Sequence, residues 1–430
     1  MKKLLLIIGF LPVLSFAQGQ SSNKADSIKN VNAIKYYTKA IIKKPNDSTA
    51  YFKRGDAKYN LNDFKGAIRD FDQAIKLNPK YEDAFLERGL SKHSLNNEQG
   101  AISDYNHALV LKPNSSVAYY DRGIVKKALG DYKGAIADYN QAIAIDPKDE
   151  DFYNDRGLAK KNLEDYTGAN DDFSHAISIN PKNTGPYFNR AYSKIHLEDY
   201  KGAIEDFDSA IKLDPSDPDN YNGRGEAKSY SEDKKAAIED YNKAIALKPN
   251  FTDAYNNRGR SKYDLEDYTG SIADYAKAIS IDPKYASAYY NRGLSNEKLS
   301  NYNDVIDDCS KYIQLAPKDP DGYFKRGCAK FNLEDYKSAI EDYNLTLSLD
   351  TKYKDALYNR GLSKRHLEDY KGAIEDYNKV IELDPKYSDA FNSRGYAKYM
   401  LKDPGACADF KTASDMGNEY APDNITKYCK

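Results

Sequence analysis

The sequence predicts an all-α solenoid, and three observations carry that prediction. An arginine followed by glycine returns every 34 residues from Arg54–Gly55 to Arg394–Gly395, with Arg190–Ala191 as the one substitution. Aromatic, alanine and proline residues return at the same step, in the first copy as Tyr51, Ala67, Phe71, Ala74 and Pro79. Within each copy the apolar residues are spaced three and four apart, the period of a helix rather than of a strand. Eleven arginines in unchanged register mean eleven copies of one unit. Such a chain grows by stacking units, not by enlarging a single core.

The elements follow in order. Lys2 and Lys3 precede an apolar run from Leu4 to Leu14, and the small residues Ser15 and Ala17 close it. Residues 1–17 therefore read as a secretory signal cut after Ala17. The run is too short for a comfortable membrane span, and no later segment is apolar enough to make one. The mature chain is expected to be exported, either periplasmic or secreted, with no membrane span after cleavage. Residues 18–29 read as a flexible N-terminal segment. Residues 30–47 read as a half-unit, one helix on which Ile34, Tyr37, Ala40, Ile41 and Pro45 match the second half of a unit. Residues 48–417 hold the eleven units, and 418–430 a C-terminal capping helix.

The unit Ser48–Tyr81 shows how each copy is built. Tyr51, Gly55 and Lys58 share one face of a first helix. Asp63 is placed to cap a second helix by accepting from its free N–H groups. Phe64, Ala67, Ile68, Phe71, Ala74 and Ile75 give that helix a wide apolar stripe. Pro79 ends it, because the residue before a proline leaves the helical region. Gly55 costs about 1 kcal/mol in mid-helix relative to alanine. Its return implies helices too close together for a side chain. In the ninth unit Thr351 stands for the proline, which should loosen only that turn. The last unit departs after Asp403, one residue short.

These residues resemble the tetratricopeptide repeat (TPR) family: an aromatic at unit position 4, Gly at 8, Ala at 20, an aromatic at 24, Ala at 27 and Pro at 32. The resemblance covers roughly residues 30–421. It implies a right-handed superhelix of antiparallel helix pairs with a concave groove lined by first-helix positions 2, 5, 6, 9, 12 and 13. Two departures recur. Position 7 is Arg where the family has an apolar residue, and position 11 is Lys in ten units and Asn296 in the other. In an antiparallel pair turning near position 15, position 7 lies opposite position 23, which is Asp in ten units and is matched by Asp409 in the shortened last one. An Arg–Asp pair is expected inside every unit, for example Arg54–Asp70 and Arg258–Asp274. We read these pairs as a structural register device rather than an anion site, since a buried pair adds little stability yet removing one partner is costly.

Four cysteines fit an oxidising compartment. Cys407–Cys429 is the favoured disulfide. It would close a loop of ~22 residues and stabilise by about 3 kcal/mol in the chain-entropy model. Cys309–Cys328 is the second pairing considered, with Cys309 otherwise a small core residue in an aromatic's place.

Composition narrows the function. Lys+Arg 64 against Asp+Glu 66 leaves no electrostatic footprint for nucleic acid. The five histidines sit in different units and lack metal-ligand spacing. No nucleophile–base constellation and no phosphate-binding glycine loop is legible, so no enzyme, metal or cofactor is expected. The groove positions vary between units while the packing positions repeat. Phe188, Tyr192, Tyr230, Tyr263, Tyr290, Phe324 and Tyr358 offer stiff contact area there. Asn189, Asn257, Asn291 and Asn359, all at position 6, can donate to and accept from a peptide backbone. The expected function is a scaffold binding extended peptide segments or protein partners, in the cell envelope. Carbohydrate binding or an enzyme-regulatory subunit would use the same groove, and edge-to-edge self-association is compatible with such units. Position 2 is Asp in seven units, from Asp83 to Asp389. That suits a helix's first turn or a basic partner. It does not suit the family's carboxylate clamp, because no unit has Lys at 5 or Asn at 9.

Overall fold

A computed structural model describes residues 24–429. Residues 1–17, read above as a signal sequence, the segment to residue 23 and Lys430 lie outside the described residues. Among those described there are 24 helices and no strand. Consecutive helices pack against each other along the chain, so the fold is an all-α repeat solenoid. The chain divides into two bodies, residues up to Asp199 and residues from Tyr200. The first holds the leading helix, four complete units and the first helix of the fifth unit, Thr184–His196. The second holds the remaining helix of that unit, Tyr200–Leu213, then six complete units and a terminal helix.

Each unit is a first helix, a tight turn and a second helix. In the unit at Ser48 these are Ser48–Tyr59 and Phe64–Leu77. The turn is closed by a residue in the left-handed region, Asn62 at φ 62°. Only Gly130 in the third unit meets that demand as a glycine. The next residue, Asp63, sends its backbone N–H back to the Lys58 carbonyl at 2.9 Å. Its carboxylate accepts from the Gly66 N–H, also at 2.9 Å. One aspartate thus ends one helix and starts the next. The turn at Thr351 keeps the form of its proline-bearing counterparts: Tyr353 N–H reaches Asp350 O at 3.1 Å, as Tyr285 reaches Asp282.

The core runs along the chain as a row of small clusters. Positions 20, 24 and 27 are fully buried, as in Ala67, Phe71 and Ala74. First-helix position 10 is always small or slender and buried, as in Ala57, Ser91, Val125 and Ser261. Within each body the first helices touch in succession, the pair Ala286–Lys298 and Pro320–Asn332 through the Lys325–Glu297 ion pair. The first helices therefore form an unbroken row in each body.

The glycine of each unit has a more specific cause than helix proximity. The position-24 ring lies across it. A Cβ on Gly259 would stand 2.8 Å from the Tyr275 ring, and one on Gly225 would stand 2.7 Å from Tyr241. The exception is Gly293. Opposite it Cys309 replaces the ring, and the nearest atoms would be 3.6 and 3.7 Å away.

Both ends differ from the sequence reading. The first helix is Lys24–Lys43 and starts inside the segment expected to be flexible. No glycine or proline interrupts that stretch, and Asp26 lies in its first turn, where negative charge is favourable. At the other end the terminal helix is Ala421–Tyr428. Cys407 and Cys429 are joined with Cα atoms 5.6 Å apart, tying that helix to the last unit. Tyr428 packs on Tyr399 at 4.4 Å between ring centres. Cys309 and Cys328 carry free thiols, so the second pairing considered is not made.

Candidate partner-binding face

The charge lattice comes first, because it separates structural from available polar groups. In the ten units that lie within one body, the position-7 arginine grips the position-23 aspartate with two nitrogens. Arg54 Nε donates to Asp70 Oδ2 at 2.8 Å and Nη2 to Oδ1 at 2.6 Å. Arg258 Nε donates to Asp274 Oδ2 at 2.9 Å. Lysine at position 11 completes the clasp, with Lys58 Nζ 2.6 Å from Asp70 and Lys262 Nζ 2.8 Å from Asp274. The arginine's remaining nitrogen, Nη1, donates backward to position 25 of the unit before, as Arg88 to Asp72, Arg122 to Asn106 and Arg258 to Asn242, but not at Arg292, where that position is Ala276. Where position 4 is aromatic the guanidinium also lies over its ring, as Arg258 does over Tyr255 at 5.3 Å. Both departures from the family pattern thus belong to one device. Sequence reasoning found the arginine and missed the lysine, although its 34-residue return, twelve residues ahead of the aspartate in all but the shortened last unit, was there to read.

One unit tests the device by lacking the lysine. Asn296 Nδ2 reaches Asp308 at only 3.4 Å. Burial holds the Asp308 carboxyl above the ordinary range against the pull of Arg292 and Asn296. Asn296→Lys is expected to supply the missing cation and stabilise the chain by about 0.5 to 1 kcal/mol. Urea unfolding of the full chain would read this, and a loss of stability would refute the clasp's second arm.

The groove candidates all lie on the first-helix rows, but not in one place. Phe188, Asn189 and Tyr192 belong to the first body. Tyr230, Asn257, Tyr263, Tyr290, Asn291, Phe324, Tyr358 and Asn359 belong to the second. Most are half-buried, packed between successive units, and only Tyr230 is largely open, at 41 % exposure. Phe188 and Tyr192 meet edge to face at 4.9 Å. Tyr290 packs on Tyr312 at 5.0 Å, Phe324 on Tyr353 at 4.9 Å and Tyr263 on Tyr268 at 5.4 Å. The Tyr358 hydroxyl meets the Ser393 hydroxyl at 3.2 Å. Burial raises the phenols of Tyr290 and Tyr358, so they stay neutral donors.

Each of the position-6 asparagines already makes one bond with its amide nitrogen inside the array. Asn189 Nδ2 donates to Asn154 Oδ1 at 3.1 Å, Asn257 to Asn222 at 3.3 Å and Asn291 to Asn256 at 3.1 Å. Asn359 turns its amide to Cys328 Sγ at 3.5 Å. A ladder between position 6 and position 5 of the preceding unit thus engages one N–H of three of these amides. The position-2 aspartates are partly occupied as well. Asp253 accepts from the Tyr285 hydroxyl and Asp321 from Tyr353, both at 2.8 Å. Among the described residues no three His, Cys, Asp or Glu side chains are grouped to hold a metal ion, and no helix is long and apolar enough to cross a membrane.

Helix-pair repeats with a varied inner row define a protein-interaction scaffold. Models of the TPR repeat match residues 55–96, 125–164, 233–265 and 259–300. Models of the tetratricopeptide repeat match 150–183, 185–217, 320–353 and 355–387. The chain belongs to the tetratricopeptide repeat family. Among solved structures, it is similar to YrrB, a TPR protein with an unusual peptide-binding site, at 24 % identity over 43 % of this chain and 95 % of that one, TM-score 0.39. It is also similar to a tetratricopeptide repeat protein from Parabacteroides merdae, at 20 % identity over 58 % and 98 % of the two chains, TM-score 0.47. MamA is 27 % identical over 41 % of this chain and 94 % of its own, TM-score 0.37. No curated protein matches the chain.

Proposed function

We propose that the chain is a non-catalytic, exported scaffold that receives an extended peptide segment, or a protein partner's extended loop, on its first-helix rows. One contrast carries this reading: the packing, capping and clasp positions repeat, while the first-helix row between them varies in size, charge and aromaticity. A face under no packing demand to vary, in a fold built to stack, is where recognition belongs. Half-buried tyrosines supply stiff contact area at small entropic cost. The charged start, apolar run and Ala17 of residues 1–17 support export to the cell envelope or beyond.

The test is an extended-peptide library screened against the mature chain, with a pull-down of the same chain from its native envelope. Selected peptides are expected to lose about tenfold in affinity on Tyr230→Ala, the scale of a modest anchor residue. Retention on glycan resins without any peptide ligand would overturn the reading. Asn257→Ala is a poor reporter, because it also removes the bond to Asn222.

A further inference from the structure

Position 6 of a first helix faces position 12 of the first helix before it, and at two of these crossings opposite charges pair. Lys127 Nζ lies 2.6 Å from Asp155 Oδ1, and the Tyr120 hydroxyl donates to the same carboxylate at 2.8 Å. With the signs exchanged, Lys325 Nζ meets Glu297 at 2.8 Å. At two consecutive crossings in the first body a carboxylate meets no cation. The residue facing Glu87 is Tyr59, and the one facing Asp121 is His93. His93 is already taken, its Nδ1 2.5 Å from Glu98. Neither the Glu87 nor the Asp121 carboxylate has an ion pair or hydrogen bond among the described residues.

A buried hydroxyl beside them is also without a partner, as it is at Tyr139, Tyr241 and Tyr377. Tyr105 is fully buried, its ring lying across Gly89, and its hydroxyl has no partner. After burial, Asp121, Tyr59 and Glu87 act most strongly on that hydroxyl. Two unpaired carboxylates thus stand beside it, at crossings equivalent to the one where Lys127 meets Asp155. Burial pushes Glu87 up to about 7, helped by Asp56 and Asp83 and opposed by Lys53. Burial and then Glu87 push Asp121 up to about 7.

We propose that this niche, between the helices Glu82–His93 and Ser116–Ala128, takes the cationic side chain of a lysine or arginine in the segment bound on the first-helix row. The proposal rests on the peptide-binding reading above. An ammonium brings three N–H donors, enough for two carboxylates and the Tyr105 oxygen. It reproduces from outside the arrangement that Lys127 gives Asp155 from within. A metal ion fits poorly, with only two carboxylates on hand. The sign of the pH dependence follows. Free carboxyls raised to about 7 hold protons near neutrality, and a bound cation drives those protons into solvent. Affinity must therefore rise as pH rises through 7. The other titratable groups facing the niche are Tyr59, Tyr105 and the His93–Glu98 pair, with Lys53, Asp56 and Asp83 at its edge.

The experiment uses the mature chain and matched extended peptides differing at one place: lysine, arginine, norleucine or glutamate. Calorimetry at pH 8 is expected to show lysine and arginine at least tenfold tighter than norleucine, with glutamate weakest. The preference should shrink several-fold at pH 6. Glu87→Gln with Asp121→Asn should abolish it, and both variants should fold, since each removes an unpaired buried charge. Asp155→Asn with Lys127→Met, which removes an already satisfied pair, should keep it. If no peptide of any kind binds, the peptide-binding reading fails. If lysine and norleucine bind equally well, that reading stands and the niche is refuted.

Discussion

Asp274→Leu is expected to cost about 3 to 5 kcal/mol, among the largest losses of any single change in the chain. The carboxylate is only 5 % exposed and is shared by Arg258 and Lys262. Its removal strands two cations, one of them under the Tyr255 ring and largely out of water. Arg258→Ala should be milder, about 2 kcal/mol, because Lys262 still neutralises Asp274. The informative variant changes all three residues, Arg258→Met with Lys262→Met and Asp274→Leu. Packed apolar side chains often replace a buried ionic cluster without loss, so the triple variant should return to within about 1 kcal/mol of the parent. Changing only the arginine and aspartate would leave Lys262 unpaired and blur the comparison. Hydrogen exchange in residues 252–285 gives the local reading, since an array of this kind need not unfold in one step. A triple variant as damaged as Asp274→Leu would show that the cluster is worth more than its replacement by packing.

Gly259→Ala and Gly293→Ala are expected to differ in sign. At Gly259 the new methyl group would stand 2.8 Å from the Tyr275 ring, itself fully enclosed. Overpacking of this kind costs about 1 to 3 kcal/mol. At Gly293 the nearest atom is 3.6 Å away, an ordinary contact. There only helix propensity acts, and alanine gains up to about 1 kcal/mol. Adding Cys309→Tyr to Gly293→Ala should convert gain into loss, which thermal unfolding can follow. Equal losses at Gly259 and Gly293 would refute the ring as the reason for the glycine.

The two variants also show what the sequence could carry. The solenoid was legible because each unit repeats its own local signals: Asp63 before an apolar stripe, Pro79 after it, Arg54 sixteen residues ahead of Asp70. Contacts internal to one unit leave a trace at fixed spacing. Contacts between units leave almost none, because the crossing of one helix over the next is set by packing. For that reason Arg88 could be matched to Asp104 but not to Asp72. The bond that each of Asn189 and Asn291 makes to an asparagine of the neighbouring unit was equally illegible. Glu87 and Asp121 gave no signal, since in one dimension they resemble the satisfied Asp155. What distinguishes them is the absence of a lysine one unit earlier and burial by helices on either side.

The arginine's third nitrogen has a wider meaning. Every Nη1 bond described above points to the preceding unit, never to the following one. A unit that melts therefore takes a hydrogen bond from its successor's arginine, whereas its predecessor's clasp keeps all its partners. Within each body the lattice has a grain, like overlapping roof tiles: damage travels more easily toward the C-terminus than back. The Cys407–Cys429 staple stands at the downstream edge, where fraying carried along that grain would arrive.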